Sequence, residues 1–189
     1  MKKLVSLMVI CLTFFVGCSN QENSITGPIE DGFEKESAPN TLSSDNTVST
    51  TSSVAQLING AIGGWIKLSA NYVDLQGRTI KVDASLFIPQ GSFVGTKTIT
   101  MTADFSNASV EFYPSMQFNK WLSLNVQFLG LPLNQMGYSP NSKVDFVYFG
   151  DDGRIYPLMS KSVSMNYSQG SLKVSNGWLN HFSRYGFVR

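Results

Sequence analysis

The chain has 189 residues, 42% of them hydrophobic and 12% aromatic, which is enough to form one packed domain. Only 14% of the residues are charged and the formal net charge is +1, so the charge pattern gives no indication of a nucleic-acid partner. The two cysteines are Cys11 and Cys18, and His181 is the single histidine, which excludes a disulfide framework and most thiolate or imidazole chemistry from the rest of the chain. The sequence therefore predicts no metal and no cofactor.

Residues 1–17 have the features of a signal peptide. A positively charged start precedes the apolar run Leu4–Val16, which is shorter than a membrane span. The run leads to Cys18 and resembles a bacterial lipobox, in which small residues precede a cysteine that receives diacylglycerol and becomes the mature N-terminus. Phe15 stands where a lipobox usually has leucine. The alternative is an ordinary secretory peptide in which Cys18 has no special role.

Acylation of Cys18 would anchor the exported chain to a membrane without spanning it. More than one acyl chain is what converts marginal membrane binding into stable anchoring. The sequence therefore predicts a lipid-anchored protein of the bacterial cell envelope, at the outer membrane or cell surface rather than free in the periplasm.

Residues 18–53 are predicted to form a flexible tether that begins at the lipidated cysteine. Serine, threonine and asparagine dominate, and six acidic residues stand against Lys35 alone. The few apolar residues show neither helical nor strand periodicity, so this segment cannot bury enough surface to fold.

Residues 54–189 alternate between apolar and polar side chains, as half-buried strands do. Turn signals separate the alternating runs, among them Pro89–Gly91, Asp151–Gly153 and Ser175–Gly177. No window has helical periodicity. The sequence predicts a single antiparallel β-sandwich, with a barrel as the alternative. Its predicted strands cover 66–72, 80–88, 99–103, 122–128, 144–148 and 163–167.

Four segments of this domain stand out as motifs. They read GGWIKL (63–68), LFIPQGSF (86–93) followed by TITM (98–101), FYPSMQFNK (112–120) and NHFSRYG (180–186). Together they cover about Gly63–Val188 and resemble, in order, the ZU-five domain of zonula occludens and netrin-receptor proteins. The resemblance implies a β-sandwich that serves as an interaction and assembly module, found in bacteria in envelope lipoproteins, and it implies no cofactor.

The segment His181-Phe182-Ser183 resembles the site at which some ZU-five domains cleave their own backbone. The resemblance implies that Ser183 Oγ attacks the carbonyl carbon of Phe182 in an N-to-O acyl shift, in which the C–O bond forms, the Phe182–Ser183 amide C–N bond breaks and His181 takes the hydroxyl proton. Water then hydrolyses the ester. Backbone strain would assist the reaction. The structural alternative is that His181 is a hydrogen-bonded strand residue, that Phe182 or Tyr185 packs in the core, and that Ser183 is a polar neighbour.

Trp65 and Trp121 are the candidates for a ligand-binding surface. Each precedes an inward residue, Ile66 or Leu122, so the alternation places both indoles on the face opposite the core. Aromatic faces stack on sugar rings at little cost in entropy, although exposed tryptophans also cover strand edges.

The sequence as a whole therefore favours a non-catalytic interaction module of the envelope. Its expected partners are the membrane, through the lipid anchor, and another envelope protein or a glycan. Self-cleavage between Phe182 and Ser183 and a carbohydrate-binding module are the two alternatives.

Overall fold

The computed structural model describes residues 49–189. They contain no helix, and hence none capable of crossing a membrane. The predicted signal peptide, Cys18 and most of the predicted tether lie outside the described residues. The strands are β1 (Thr51–Asn59), β2 (Gly64–Val73), β3 (Thr79–Ile88), β4 (Thr96–Asp104), β5 (Ser109–Tyr113), β6 (Gln117–Leu129), β7 (Asp145–Phe149), β8 (Ile155–Pro157), β9 (Ser162–Asn166), β10 (Ser171–His181) and β11 (Arg184–Val188).

The strands form two antiparallel sheets that pack against each other, so the predicted β-sandwich is confirmed. The six-stranded sheet has the order β1-β4-β5-β11-β7-β8, and the five-stranded sheet has the order β2-β3-β6-β10-β9. Consecutive strands of the chain pair in hairpins such as β2–β3 and β9–β10. The chain passes between the sheets elsewhere, for example between β10 and β11.

The folded domain begins three residues earlier than the alternation predicts. β1 starts at Thr51 and pairs with β4 along its whole length, from Thr51 opposite Asp104 to Asn59 opposite Thr96. Most of its residues are exposed, because it is an edge strand held by ladder hydrogen bonds rather than by buried side chains. Such a strand leaves little hydrophobic signal in the sequence.

The turn predicted at Ser175–Gly177 is wrong, because these residues lie inside β10. The pairing of β10 with β6 shifts between Val174 and Gly177, and Asn176 has a φ of 53°, a left-handed conformation that asparagine tolerates. The extra residue makes a β-bulge. Residues that form a turn at the end of other strands therefore form a bulge within this one, and the strand continues beyond it.

The core lies between the sheets and contains the inward set that the alternation predicts. Aromatic rings from both sheets meet there: Phe128 of β6 lies edge-on to Phe187 of β11, with ring centroids 6.4 Å apart. Burial of each such side chain contributes roughly 1.5–3 kcal/mol. The fully buried residues of β2 and β3 include Ile66, Val82, Leu86 and Ile88.

Candidate functional site

Three tryptophans and one phenylalanine lie together on the outer face of the five-stranded sheet. Trp65 of β2 pairs with Phe87 of β3, Phe87 pairs with Ser123 of β6, and Ser123 pairs with Trp178 of β10. Trp121 precedes Ser123 by two positions on the same strand and faces outward with it. We call Trp65, Phe87, Trp121 and Trp178 the aromatic band.

The rings of the aromatic band form two pairs. The centroids of Trp65 and Phe87 are 4.8 Å apart, and those of Trp121 and Trp178 are 6.3 Å apart. Three strand spacings separate β2 from β10, a distance of about 14 Å. The band therefore offers two aromatic platforms on one side of the sheet.

All three tryptophans of the chain belong to the aromatic band, and each remains partly exposed. The exposed fraction is 47% for Trp65, 40% for Trp121 and 43% for Trp178. The outward position of Trp65 and Trp121 agrees with the alternation, but the alternation missed Phe87 and Trp178. Phe87 is an odd-numbered residue of β3, and the odd-numbered side chains of that strand face outward, so the alternation could have identified it. Trp178 has the wrong parity for its strand, because the bulge at Asn176 shifts the register.

A tight turn positions the first platform. Gly63, which links β1 to β2, has a φ of 78°. A Cβ atom there would collide with the backbone carbonyl of Ile88, so only glycine lets β2 begin beside the end of β3. Trp65 then follows two residues later, directly opposite Phe87.

A polar depression of about 350 Å³ lies beside the aromatic band on the same face. The side chains of the depression that lie nearest the band are two residues farther along their strands, a distance of about 7 Å. On β2 this step leads from Trp65 to Lys67, and on β3 it leads from Phe87 to Ser85. Asn125 is another of these side chains and accepts a hydrogen bond from the backbone N–H of Asn176 in the bulge, at 3.1 Å. We call this surface the polar depression; the polar side chains that line it are Lys67, Ser69, Asp83, Ser85, Asn125, Gln127 and Lys173.

The charges on this face are unbalanced toward lysine. Lys67 and Lys173 line the polar depression, and Lys81 is exposed one row farther along β3. Asp83 is the acidic residue among them, and it accepts a hydrogen bond of 2.6 Å from the Ser69 hydroxyl. Among residues 49–189, these three lysines and Asp83 form no ion pair.

A second pocket of about 290 Å³ adjoins the Trp121–Trp178 platform. Its opposite wall comes from the six-stranded sheet, where Tyr148 of β7 stacks on Tyr156 of β8 at a centroid distance of 5.6 Å. The Tyr156 hydroxyl donates to Asp152 at 2.7 Å, and this bond raises the pKa of Tyr156. We call this the aromatic pocket. It extends the aromatic surface from the outer face toward the junction of the sheets.

His181, Phe182 and Ser183 lie where the chain leaves β10 for β11. Phe182 is 1% exposed and stacks on Phe112 at 4.9 Å. Its N–H donates to the carbonyl of Met116 at 2.8 Å. Phe182 therefore packs in the core, as the structural alternative expects. The peptide bond that self-cleavage would break lies in a hydrogen-bonded crossover connection between β10 and β11.

The catalytic contact required for self-cleavage does not form among the described residues. No hydrogen bond joins His181 to the Ser183 hydroxyl; instead His181 Nδ1 lies 3.3 Å from the hydroxyl of Tyr185. That hydroxyl donates to the carbonyl of His181 at 2.7 Å, and burial raises the pKa of Tyr185. The φ angles of residues 181–183 are not positive.

Two features of the crossover nevertheless match the chemistry. Burial lowers the pKa of His181, which favours the neutral imidazole that a general base requires. The Ser115 hydroxyl donates to the carbonyl of Phe182 at 3.4 Å, where it would polarise that carbonyl. The crossover thus holds a histidine of lowered pKa and a carbonyl that accepts a hydroxyl hydrogen bond, but the Ser183 hydroxyl is not hydrogen-bonded to His181.

No protein-family model, curated protein or solved structure matches this chain. The resemblance to the ZU-five domain therefore stays a prediction from four short segments.

Within residues 49–189, no group of three histidine, cysteine, aspartate or glutamate side chains is placed to hold a metal ion. The candidate functional residues that the structure brings together are instead those of the aromatic band, the polar depression and the aromatic pocket.

Proposed function

We propose that this protein is an exported, non-catalytic binding module of the bacterial envelope, anchored through a lipid on Cys18. It binds its partner with the outer face of the five-stranded sheet. The observation that carries the proposal is the aromatic band, which concentrates all three tryptophans of the chain beside a polar depression.

Exposed aromatic rings on a sheet face favour binding over a purely structural role. A partner that covers such rings gains roughly 25 cal/mol for each Å² of apolar surface removed from water. Tryptophan is also enriched among the residues that contribute most to binding. Partly exposed tryptophans contribute less to the stability of the fold than buried ones do, so their clustering on one face supports a role in recognition.

The strand order restricts the kind of recognition that this face supports. β3, β6 and β10 each pair with a neighbour on both sides, so their backbone groups are used in the ladders. A partner that lies over these three strands cannot extend the sheet by adding a strand to them. It has to contact side chains, which on this face are aromatic rings, amides, hydroxyls and lysines.

Self-cleavage between Phe182 and Ser183 has weaker support, because His181 hydrogen-bonds with Tyr185 rather than with Ser183. The intact mass of the purified protein, measured under denaturing conditions beside the Ser183→Ala variant, tests it. We expect both chains to be unbroken. Loss of residues 183–189 from the wild type alone would replace a binding module by a self-processing domain.

The anchor is tested by producing the full chain in a bacterium supplied with an alkyne-tagged fatty acid. We expect the wild type to carry the label and to sediment with membranes. The Cys18→Ser variant should carry no label and should leave the membrane fraction. An unlabelled wild type would contradict the lipid anchor.

The binding face is tested by retention of the purified full chain, in detergent, on delipidated envelope fragments. The variant Trp65→Ala/Trp121→Ala should lose at least about tenfold in affinity, since each tenfold step corresponds to about 1.4 kcal/mol. Leu57 and Tyr113 of the six-stranded sheet are 68% and 72% exposed, so Leu57→Ala/Tyr113→Ala is the matched control. Equal retention of both variants would contradict binding by the aromatic band.

A further inference from the structure

From the juxtaposition of the aromatic band with the unpaired lysines of the polar depression, we infer that the ligand is an extended acidic polysaccharide. This inference rests on the proposed binding face and names the chemistry that the face recognises. Three observations support it: the spacing of the aromatic platforms, the hydrogen-bonding side chains of the polar depression and the excess of positive charge.

The spacing of the platforms indicates a chain of several sugar rings. The centres of the Trp65–Phe87 and Trp121–Trp178 platforms lie two strand spacings apart, about 10 Å across the sheet, which is more than one sugar ring covers. The C–H faces of sugar rings pack on aromatic faces, and tryptophan offers the largest such face. Two rings of one polysaccharide can therefore stack at the two platforms while the intervening units cross the sheet.

The polar depression supplies the hydrogen bonds that sugar hydroxyls require. Ser85, Asn125 and Gln127 occupy neighbouring outward positions on β3 and β6, and their side chains both donate and accept. The bulge at Asn176 fixes the oxygen of Asn125, which leaves the NH₂ group of that amide to donate to a ligand. A surface made only for apolar protein contacts would not place amides and hydroxyls directly beside its aromatic rings.

The charge on this face indicates an acidic rather than a neutral polysaccharide. Lys67 and Lys173 stand on β2 and β10, three strand spacings or about 14 Å apart across the sheet, and Lys81 adds a third positive charge. Asp83 offsets only one of them. Carboxylates carried by a sugar chain would pair with these lysines, while Lys67 also lies 5.9 Å from the ring of Trp65. One sugar unit can thus stack on the first platform and place its carboxylate at Lys67.

The test compares ligands on coated biosensor surfaces, with the full wild-type chain in detergent. Polygalacturonate is the acidic probe, dextran the neutral probe and single-stranded oligothymidine the competing polyanion with stacking bases. We expect binding to polygalacturonate at least about tenfold tighter than to dextran. Oligothymidine should not displace the bound protein.

Three variants separate stacking from charge. Trp65→Ala/Trp121→Ala should weaken polygalacturonate binding about tenfold or more, and Lys67→Gln/Lys173→Gln should weaken it and flatten its salt dependence. Lys97→Gln/Lys143→Gln removes the same net charge from exposed positions elsewhere and should bind as the wild type does.

Four results would overturn the inference. They are equal or tighter binding to dextran, equal losses in the two lysine variants, displacement by oligothymidine, and no glycan binding at all. In each case, continued loss of envelope retention in the tryptophan variant would leave the proposed binding face standing. Full envelope retention by that variant would remove the proposed function itself.

Discussion

The two faces of the five-stranded sheet use aromatic side chains differently. On the inner face Phe128 is fully buried and lies edge-on to Phe105 and Phe187. On the outer face Trp65 and Trp178 keep almost half of their surface in water. We expect the inner rings to stabilise the sandwich more than the outer rings do. The comparison separates residues that explain the fold from residues that point to a ligand.

The largest effect on stability is expected on the inner face. Phe128→Ala removes a ring that joins both sheets, and its loss should lower the free energy of unfolding by about 3–5 kcal/mol. Denaturant unfolding of the full chain measures it. A loss below about 1 kcal/mol would mean that the rings between the sheets do not hold the sandwich together.

The corresponding change on the outer face should cost much less stability. Trp121 contacts Trp178 but is 40% exposed, so Trp121→Ala should lower the free energy of unfolding by about 1–2 kcal/mol. The same denaturant series detects the difference. If Trp121→Ala destabilised the protein as much as Phe128→Ala, the two faces would not differ in the way described.

A smaller effect is expected at Tyr185, where the core meets the aromatic pocket. Tyr185→Phe keeps the buried ring but removes the hydroxyl that donates to the carbonyl of His181 at 2.7 Å. The expected cost is about 0.5–1.5 kcal/mol, readable as a small drop in Tm. An unchanged Tm would show that water or another donor replaces the hydroxyl fully.

The smallest expected effect is a pH dependence from His181. Burial lowers its pKa in the folded protein, against the opposing influence of the Phe182 backbone and the Asp151 charge. Below the ordinary value of 6.5, the unfolded chain therefore binds the proton before the folded protein does. The contribution of His181 to stability should be constant above about pH 7.5 and should fall as the pH drops through 6.5 toward the lowered value.

The variant His181→Gln isolates this contribution. It has no titrating group at this position, so its Tm should change less between pH 8 and about pH 5.5 than that of the wild type. Asp104 should not titrate between these pH values. Its hydrogen bonds to Ser106 and Asn107 outweigh the effect of its burial and lower its pKa from 3.8. Identical pH profiles would contradict the assigned role of His181.

The side chains of the inner face could be predicted from the sequence, because apolar residues at every second position of a strand indicate the buried face directly. The six predicted strands correspond to β2, β3, β4, β6, β7 and β9. β1 escaped prediction because an exposed edge strand needs few apolar residues, and β8 because it has only three residues, Ile155–Pro157. β10 was obscured by its bulge.

Only part of the candidate site could be predicted from the sequence. Trp65 and Trp121 follow from alternation within single strands, but Trp178 does not, since the bulge reverses its parity. The polar depression depends on strand order: Lys67, Asn125 and Lys173 are distant in sequence and meet because β2, β3, β6 and β10 are neighbours. No local pattern encodes that adjacency. The contact of His181 with Tyr185 likewise depends on how the crossover folds.

The most direct measurement uses the tryptophans as their own probe. Since all three lie on the outer face, acrylamide quenching of tryptophan emission reports on that face alone, without any substitution. Addition of purified envelope polysaccharide to the full chain should shift the emission to shorter wavelength and reduce quenching. Binding detected by another method, with emission and quenching unchanged, would contradict the claim that the aromatic band is the binding face.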